Sequence, residues 1–139
     1  MIKIRILLIV LMSIVSGSVM SQVELKDEVT AILEEFCLEN YDNYFYPRQY
    51  VVGTLRVTSI DVDEVNDRMN VKGTHTCRGR HVPIKGRKTF YDLDFKAELI
   101  LLREGGGLRI RFWSWFERKF SRRDGYWEGP CERTVYVRF

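Results

Sequence analysis

The stretch FKAELILLREGGGLRIRFWSWF, residues 95–116, decides the fold. Two runs of alternating apolar residues flank a glycine-rich segment at 104–107, a pattern typical of a β-hairpin. Setting Arg103 opposite Leu108 predicts a register that brings large residues against large ones on the core-facing side. The pairs expected there are Leu101 with Ile110, Leu99 with Phe112, Ala97 with Ser114, and Phe95 with Phe116.

Upstream of the hairpin, residues 22 to about 40 have the apolar spacing of an amphipathic helix. Residues 41–47 (YDNYFYP) are expected to form an aromatic connection, because their pattern is too polar to continue the helix and Pro47 disfavours helix before it. The rest of the chain has strand patterns at 50–62 (with a bulge between Val57 and Ile60), 69–77, 89–103, 108–116 and 134–139. A turn at 64–68, a loop at 79–86 and a turn-rich stretch at 121–130 are expected to connect them.

One helix followed by about five antiparallel strands predicts an α+β fold, with the helix packed on the apolar face of a twisted sheet. This order resembles the rolls of the cystatins and of nuclear transport factor 2. A half-closed β-barrel plugged by the helix is the alternative architecture.

The N-terminal segment has the order of a secretory signal: Lys3 and Arg5, an apolar run at 6–15, and then small and polar residues. The sequence predicts a cleavable signal peptide at 1–21, with Val19 and Ser21 at the −3 and −1 positions of the cut. The apolar run is shorter than the roughly 20 residues of a spanning helix, although an uncleaved anchor is the alternative. Residues 22–139 are therefore expected to be one exported domain, periplasmic or secreted, that meets the membrane only during export.

Charge is distributed unevenly along the exported part. Residues 22–67 hold eleven acidic and three basic residues, whereas residues 68–139 hold eight acidic and seventeen basic ones. Such a chain either keeps two solvated faces or presents a basic surface to an acidic partner.

The outward side of the hairpin is the candidate binding face, because it mixes aromatic rings with charges. Trp and Arg dominate interface hot spots, so this face is expected to engage a protein or another envelope component. Arg and Trp also serve nucleic-acid platforms, but export excludes that partner. The candidate binding residues are Lys96, Glu98, Arg111, Trp113 and Trp115.

Enzymatic function is the alternative class, as a small hydrolase using Asp94, Glu98 or His75. His75, Cys77 and His81 have metal-binding chemistry, but the paired spacing of zinc sites is missing. We therefore predict no catalytic residues, no metal and no cofactor.

Three cysteines allow one disulfide bond in an oxidising compartment. Cys37 falls on the apolar side of the predicted helix, where a free thiol packs as a small hydrophobe. The predicted bond therefore joins Cys77 to Cys131.

Residues 49–53, QYVVG, match the Q-x-V-x-G pattern. They resemble the segment whose hairpin, in cystatins, plugs a cysteine-protease cleft. The resemblance implies a protease-inhibitor function as a further alternative, whereas the residues by themselves indicate the start of a strand.

Overall fold

The computed structural model describes residues 22–79, 90–118 and 121–136, which form one helix and one curled antiparallel sheet. Helix α1 spans Gln22–Tyr44. The strands are β1 (Gln49–Tyr50), β2 (Arg56–Asp63), β3 (Arg68–Arg78), β4 (Phe90–Leu102), β5 (Gly107–Arg118) and β6 (Ser121–Tyr136). Their order is β1-β3-β4-β5-β6, with β2 also paired to β3. The sheet curls into a half-barrel around the helix, so the predicted α+β roll is confirmed.

The residues of the predicted signal peptide lie outside the described part of the chain, as does the predicted loop beyond Gly79. Within the described part, no helix has the length and apolar character needed to cross a membrane.

The helix is longer than its sequence pattern predicted. It continues to Tyr44, because Tyr41 extends the apolar stripe of Leu33 and Cys37 and is only 1 % exposed. Phe45, which donates its backbone N–H to the carbonyl of Tyr41, is equally buried just beyond the helix. The prediction of a connection at 41–47 was therefore wrong at its start, since only the outward residues there are polar.

The central hairpin forms with the predicted faces but with a register displaced by two residues. Leu101 lies opposite Leu108 and Leu99 opposite Ile110, because the turn occupies residues 103–106 and not 104–107. Arg103 leaves the ladder, and its guanidinium donates two hydrogen bonds to the carboxylate of Asp67, at 2.6 and 2.7 Å. Since strand side chains alternate, a shift of two leaves every residue on its predicted face.

Two irregularities shape the sheet. The predicted bulge in β2 is confirmed, since the pairing with β3 shifts between Val57 and Ser59. The predicted turn-rich stretch at 121–130 was wrong, because those residues belong to β6 and pair with β5. Gly129 marks a bulge there, with a φ of 135° and a position where a Cβ would lie 2.7 Å from the carbonyl oxygen of Phe112. Glycine is needed at position 129 because two strands approach each other closely there, and not because the chain turns.

The core lies between α1 and the concave side of the sheet. The inward hairpin residues Phe95, Ala97, Leu99, Ile110 and Phe112 are each at most 2 % exposed, as the alternation predicted. Phe36 and Tyr41 of α1 pack against Phe112, with ring centroids about 6 Å apart. Because the helix fills the concave side, the opposite side of the sheet is the outer face.

Candidate functional site

All five predicted binding residues share the outer face of β4 and β5, and all five are half-buried. We call this set, Lys96, Glu98, Arg111, Trp113 and Trp115, the aromatic–basic face. The two-residue shift in register brings Arg111 opposite Glu98 and Trp113 opposite Lys96. Opposite charges thus become cross-strand neighbours, an arrangement that stabilises a sheet.

The aromatic rings of this face are organised around one lysine. The Lys96 ammonium lies 5.2 Å from the ring centroid of Trp113 and 4.8 Å from that of Trp127 in β6. Trp127 is 38 % exposed and meets Trp115 edge to face, with centroids 5.3 Å apart. A cation between two indole rings gains cation–π attraction, and the edge-to-face pair holds the rings in place.

Two arginines on this side of the sheet, Arg111 and its neighbour Arg109, pair with carboxylates. Arg111 lies 3.5 Å from the Glu98 carboxylate and 3.8 Å from that of Glu132, which also pairs with Arg109 at 3.4 Å. Such partly exposed pairs contribute little stability individually, although the shared Glu132 carboxylate brings the two guanidinium groups together.

Sequence reasoning left Trp127 and Glu132 out of the candidate site. Both belong to β6 and lie opposite Trp115 and Arg111. The glycines and Pro130 indicated turns there, which hid the strand. Trp127 and Glu132 do recur at positions that alternate around the bulge, and this is the signal that could have revealed them.

A second polar group of residues lies on the inner face, within the aromatic core. The Tyr41 hydroxyl lies 2.9 Å from Nε2 of His75 and 3.1 Å from Oγ of Ser114, and those two atoms are 3.2 Å apart. We call these three residues the interior polar cluster. Each is at most 1 % exposed, so the hydrogen bonds among these three atoms compensate for their own loss of water.

Burial keeps the interior polar cluster uncharged. It lowers the pKa of His75 to about 4, with the charge of Arg48 acting in the same direction. It also raises the pKa of the Tyr41 hydroxyl. At neutral pH the cluster therefore consists of two hydroxyl groups and a neutral imidazole.

The structure does not bring the three predicted hydrolase candidates together. Asp94 and Glu98 occupy alternating outward positions of β4, whereas His75 is buried on the concave side. Ser114 and His75 have the separation of a nucleophile and its base, but no carboxylate contacts the imidazole within the described residues. In that part of the chain no three metal-binding side chains converge either, and His81 lies outside it.

The predicted disulfide is corrected by the structure, in which Cys37, Cys77 and Cys131 are all free and buried. Strands β4 and β5 separate β3, with Cys77, from β6, with Cys131. Three strand spacings of about 4.8 Å exceed the reach of a disulfide. Cys37 does lie on the buried side of α1, as predicted, and burial raises the pKa of all three thiols.

The segment QYVVG, residues 49–53, lies against the helix. Gln49 and Tyr50 form the short strand β1, which confirms the start of a strand there. Glu34 of α1 accepts hydrogen bonds from the Tyr50 hydroxyl and from the Gly53 amide. The segment is therefore clamped at both ends, and Val52, 68 % exposed, is its most accessible apolar side chain.

A shallow groove runs between α1 and β6. Its cavity of about 170 Å³ has an apolar floor that includes Ile32, Phe36 and Ile110. Glu35 and Glu39 line one side and Arg133 lines the other, so the groove has no uniform charge.

Comparisons of the chain with known protein families, with curated proteins and with solved structures found no match.

Proposed function

We propose that this chain is an exported binding module that recognises an acidic protein surface through the aromatic–basic face. The observation that carries the proposal is the position of Lys96, whose ammonium lies over Trp113 and Trp127 on the side of the sheet away from α1. Three tryptophans and two arginines on one sheet surface supply the side chains that most often anchor protein interfaces.

Pre-organisation supports this function. Arg111 is held between Glu98 and Glu132, and Trp115 is held by Trp127. Side chains that are already ordered lose little conformational entropy when a partner binds. The face therefore presents aromatic and guanidinium groups that already have partners within the sheet.

The charge pattern indicates an acidic partner. Lys72 of β3 lies directly opposite Lys96 on the outer face, and like charges in that position destabilise a sheet. Neither lysine forms an ion pair with a carboxylate of the described residues. An Asp or Glu of the partner could pair with either of these two ammonium groups.

Affinity capture with matched variants tests the proposal. Immobilised protein comprising residues 22–139 is incubated with envelope extract, and the retained molecules are identified by mass spectrometry. We expect one protein to be retained by the wild type and lost at least tenfold with Trp127→Ala and with Lys96→Ala. The control is Val65→Ser, at a turn position that is 92 % exposed and remote from the face.

The outcomes separate the alternatives. Equal capture by Trp127→Ala and the wild type would exclude this face as the binding surface. Retention of a lipid or a glycan in place of a protein would assign a different envelope component. Denaturant melts of each variant establish that a lost interaction does not come from unfolding.

Export is the second part of the proposal, and its support is the signal-like order of residues 1–21. We expect N-terminal sequencing of the exported protein to begin at or near Gln22. An intact Met1 in that material would contradict export through a cleaved signal.

A further inference from the structure

Strand β2 leaves one edge of the sheet open. It pairs with β3 and with no other described strand. None of its eight residues is buried, whereas alternate residues of β3 are. Val57, Ile60 and Val62 nevertheless pack against the core on the inner face. β2 is therefore an exposed edge with an apolar inner side, the kind of strand onto which another strand can add.

The free side of β2 presents backbone groups at alternate residues. The carbonyl and amide of Thr76 in β3 form bonds on the side where β1 and β2 lie. Even-numbered residues of β3 therefore direct their backbone groups to β2, since this direction alternates along a strand. Ser59 and Asp61 lie opposite even-numbered residues and complete those bonds. Ile60 and Val62 alternate with them, so their N–H and C=O groups point to the free side.

The sequence of β2 is self-complementary in one antiparallel register. When Ile60 lies opposite Ile60 of a second copy, the inward Val62 meets Val57 of that copy. The outward Asp63 then meets Arg56 of that copy, with the extra residue of the bulge left unpaired. Every pair joins residues from the same face of the sheet, as cross-strand neighbours must be.

Charge favours this register over its neighbours. A two-fold axis at Asp61 would set two carboxylates against each other, and an axis at Val62 would set Asp61 opposite Asp63. Arg56 is exposed, and its guanidinium donates to two backbone carbonyls but pairs with no carboxylate of the described residues. The Asp63 carboxylate pairs with Arg68 at 3.4 Å and stays partly exposed. Each group can therefore accept its opposite from a second copy.

We propose that β2 binds a second copy of this chain, forming a two-fold dimer in which the two sheets continue across the paired β2 strands. The axis passes beside Ile60, and each Arg56 pairs with Asp63 of the other copy. Because paired residues share a face, both aromatic–basic faces lie on the same side of the joined sheet. The dimer then presents that face twice, which raises its apparent affinity for a repeated partner; this last consequence alone rests on the proposed function.

Sedimentation equilibrium of protein comprising residues 22–139 tests the dimer. The paired edges are small, so we expect a reversible dimer with a dissociation constant in the micromolar range. Ile60→Lys places two ammonium groups beside the axis and should weaken dimerisation at least tenfold. Val65→Ser, in the turn after β2, should dimerise like the wild type. A wild-type monomer throughout that concentration range, or an unweakened Ile60→Lys dimer, would overturn the proposal.

Two charge reversals test the register itself. Arg56→Asp alone puts two acidic pairs into the dimer, and Asp63→Arg alone puts two basic pairs into it, so each should dimerise at least tenfold more weakly than the wild type. An equal mixture of the two variants joins an acidic to a basic side chain at both contacts. We expect the mixture to recover dimers, and native mass spectrometry should identify them as heterodimers.

Recovery on mixing cannot come from repair of a locally damaged strand, because each chain keeps its own substitution. A mixture that stays monomeric, with both variants folded by circular dichroism, would exclude this register and overturn the proposal. If either reversal does not fold, Ile60→Lys decides. A wild-type monomer that retains an envelope protein, with capture lost in Ile60→Lys, would assign the edge to a strand of that protein in place of a second copy.

Discussion

The hydroxyl group of Tyr41 lies 2.9 Å from Nε2 of His75, which joins the last turns of α1 to the C-terminal part of β3. The two rings also meet edge to face, with centroids 5.3 Å apart. Most contacts between helix and sheet are apolar and tolerate small slides of one surface over the other. A buried hydrogen bond does not, so this pair fixes the position of the helix along the sheet.

Replacing Tyr41 by Phe should destabilise the protein by about 1–3 kcal/mol, because it leaves buried polar atoms of His75 and Ser114 with fewer partners. Urea unfolding measures the change. The matched control is Tyr44→Phe, which removes the same hydroxyl from a side chain that is 42 % exposed and should change stability by less than about 0.5 kcal/mol. Similar losses in both variants would mean that the interior polar cluster contributes nothing specific.

The unfolding free energy should fall as the pH is lowered from about 6.5 to about 4, in part through His75. The imidazole has a pKa of 6.5 when unfolded and about 4 when folded, so across this interval only the unfolded chain binds the proton. This shift corresponds to at most about 3 kcal/mol of unfolding free energy. The protein has all of this stability above pH 6.5 and loses it as the pH falls to about 4. Comparing His75→Gln with the wild type isolates the contribution, since the variant should lack this part of the slope. Parallel pH profiles would show that His75 does not titrate in this way.

Phe112→Ala and Trp115→Ala should differ in stability although the residues are three apart on one strand. Phe112 is fully buried on the inner face, and its truncation should cost about 3–5 kcal/mol. Trp115 is half-buried on the outer face against Trp127, and its loss should cost about 1–2 kcal/mol. Denaturant melts of both variants decide the matter. Equal destabilisation would make Trp115 a core residue and remove an anchor from the proposed binding surface.

Gly129→Ala should be more damaging than Gly53→Ala. Both glycines have positive φ angles, 135° at Gly129 and 79° at Gly53. A Cβ at Gly129 would lie 2.7 Å from a backbone oxygen, whereas a Cβ at Gly53 would have no heavy atom of the surroundings within 4 Å. Backbone strain alone should cost about 1–2 kcal/mol at Gly53, and the clash should bring Gly129→Ala to about 3 kcal/mol or more. Thermal melts give the ranking, and the reverse order would contradict the bulge in β6.

All three thiols should be available once the chain is unfolded. Denaturing the protein without a reductant and adding iodoacetamide should attach three labels, as counted by intact mass. Under native conditions labelling should be slow, because all three side chains are buried and their pKa values are raised. A single label after unfolding would show that two of the cysteines are joined in a disulfide bond, and peptide mapping would identify them.

The alternation of apolar and polar residues along the strands was the sequence pattern that predicted the structure most reliably. It placed Phe95, Leu99 and Phe112 in the core and Trp113 on the outer face, because a two-residue error in register cannot move a strand residue to the other side. The predicted register depended on which four residues were assigned to the turn and which to the two strands. In the folded chain Arg103 lies outside the ladder and donates to Asp67, a residue distant in sequence whose contact no local pattern indicates.

The prediction errors arose at residues whose local sequence pattern indicates one structure but whose tertiary contacts favour another. Gly125 and Gly129 read as turn residues, but they are the positions where β6 passes close to Trp115 and Phe112. Tyr41 read as part of a polar connection because its neighbours in sequence face solvent. The interior polar cluster could not be predicted, since it joins residues from α1, β3 and β5 that meet only in the folded chain.

The bulge at Gly129 has a consequence for the outermost strand of the sheet. Among the described strands, β6 pairs on one side only, and such an edge is a template on which another chain can add. A strand arriving at β6 would meet a kinked backbone at Gly129, a missing N–H at Pro130, and the charged Arg133 on the concave side soon afterwards. Growth from molecule to molecule would stop there after a few residues. We therefore expect the irregularity that disguised β6 as a turn to oppose fibre-like association.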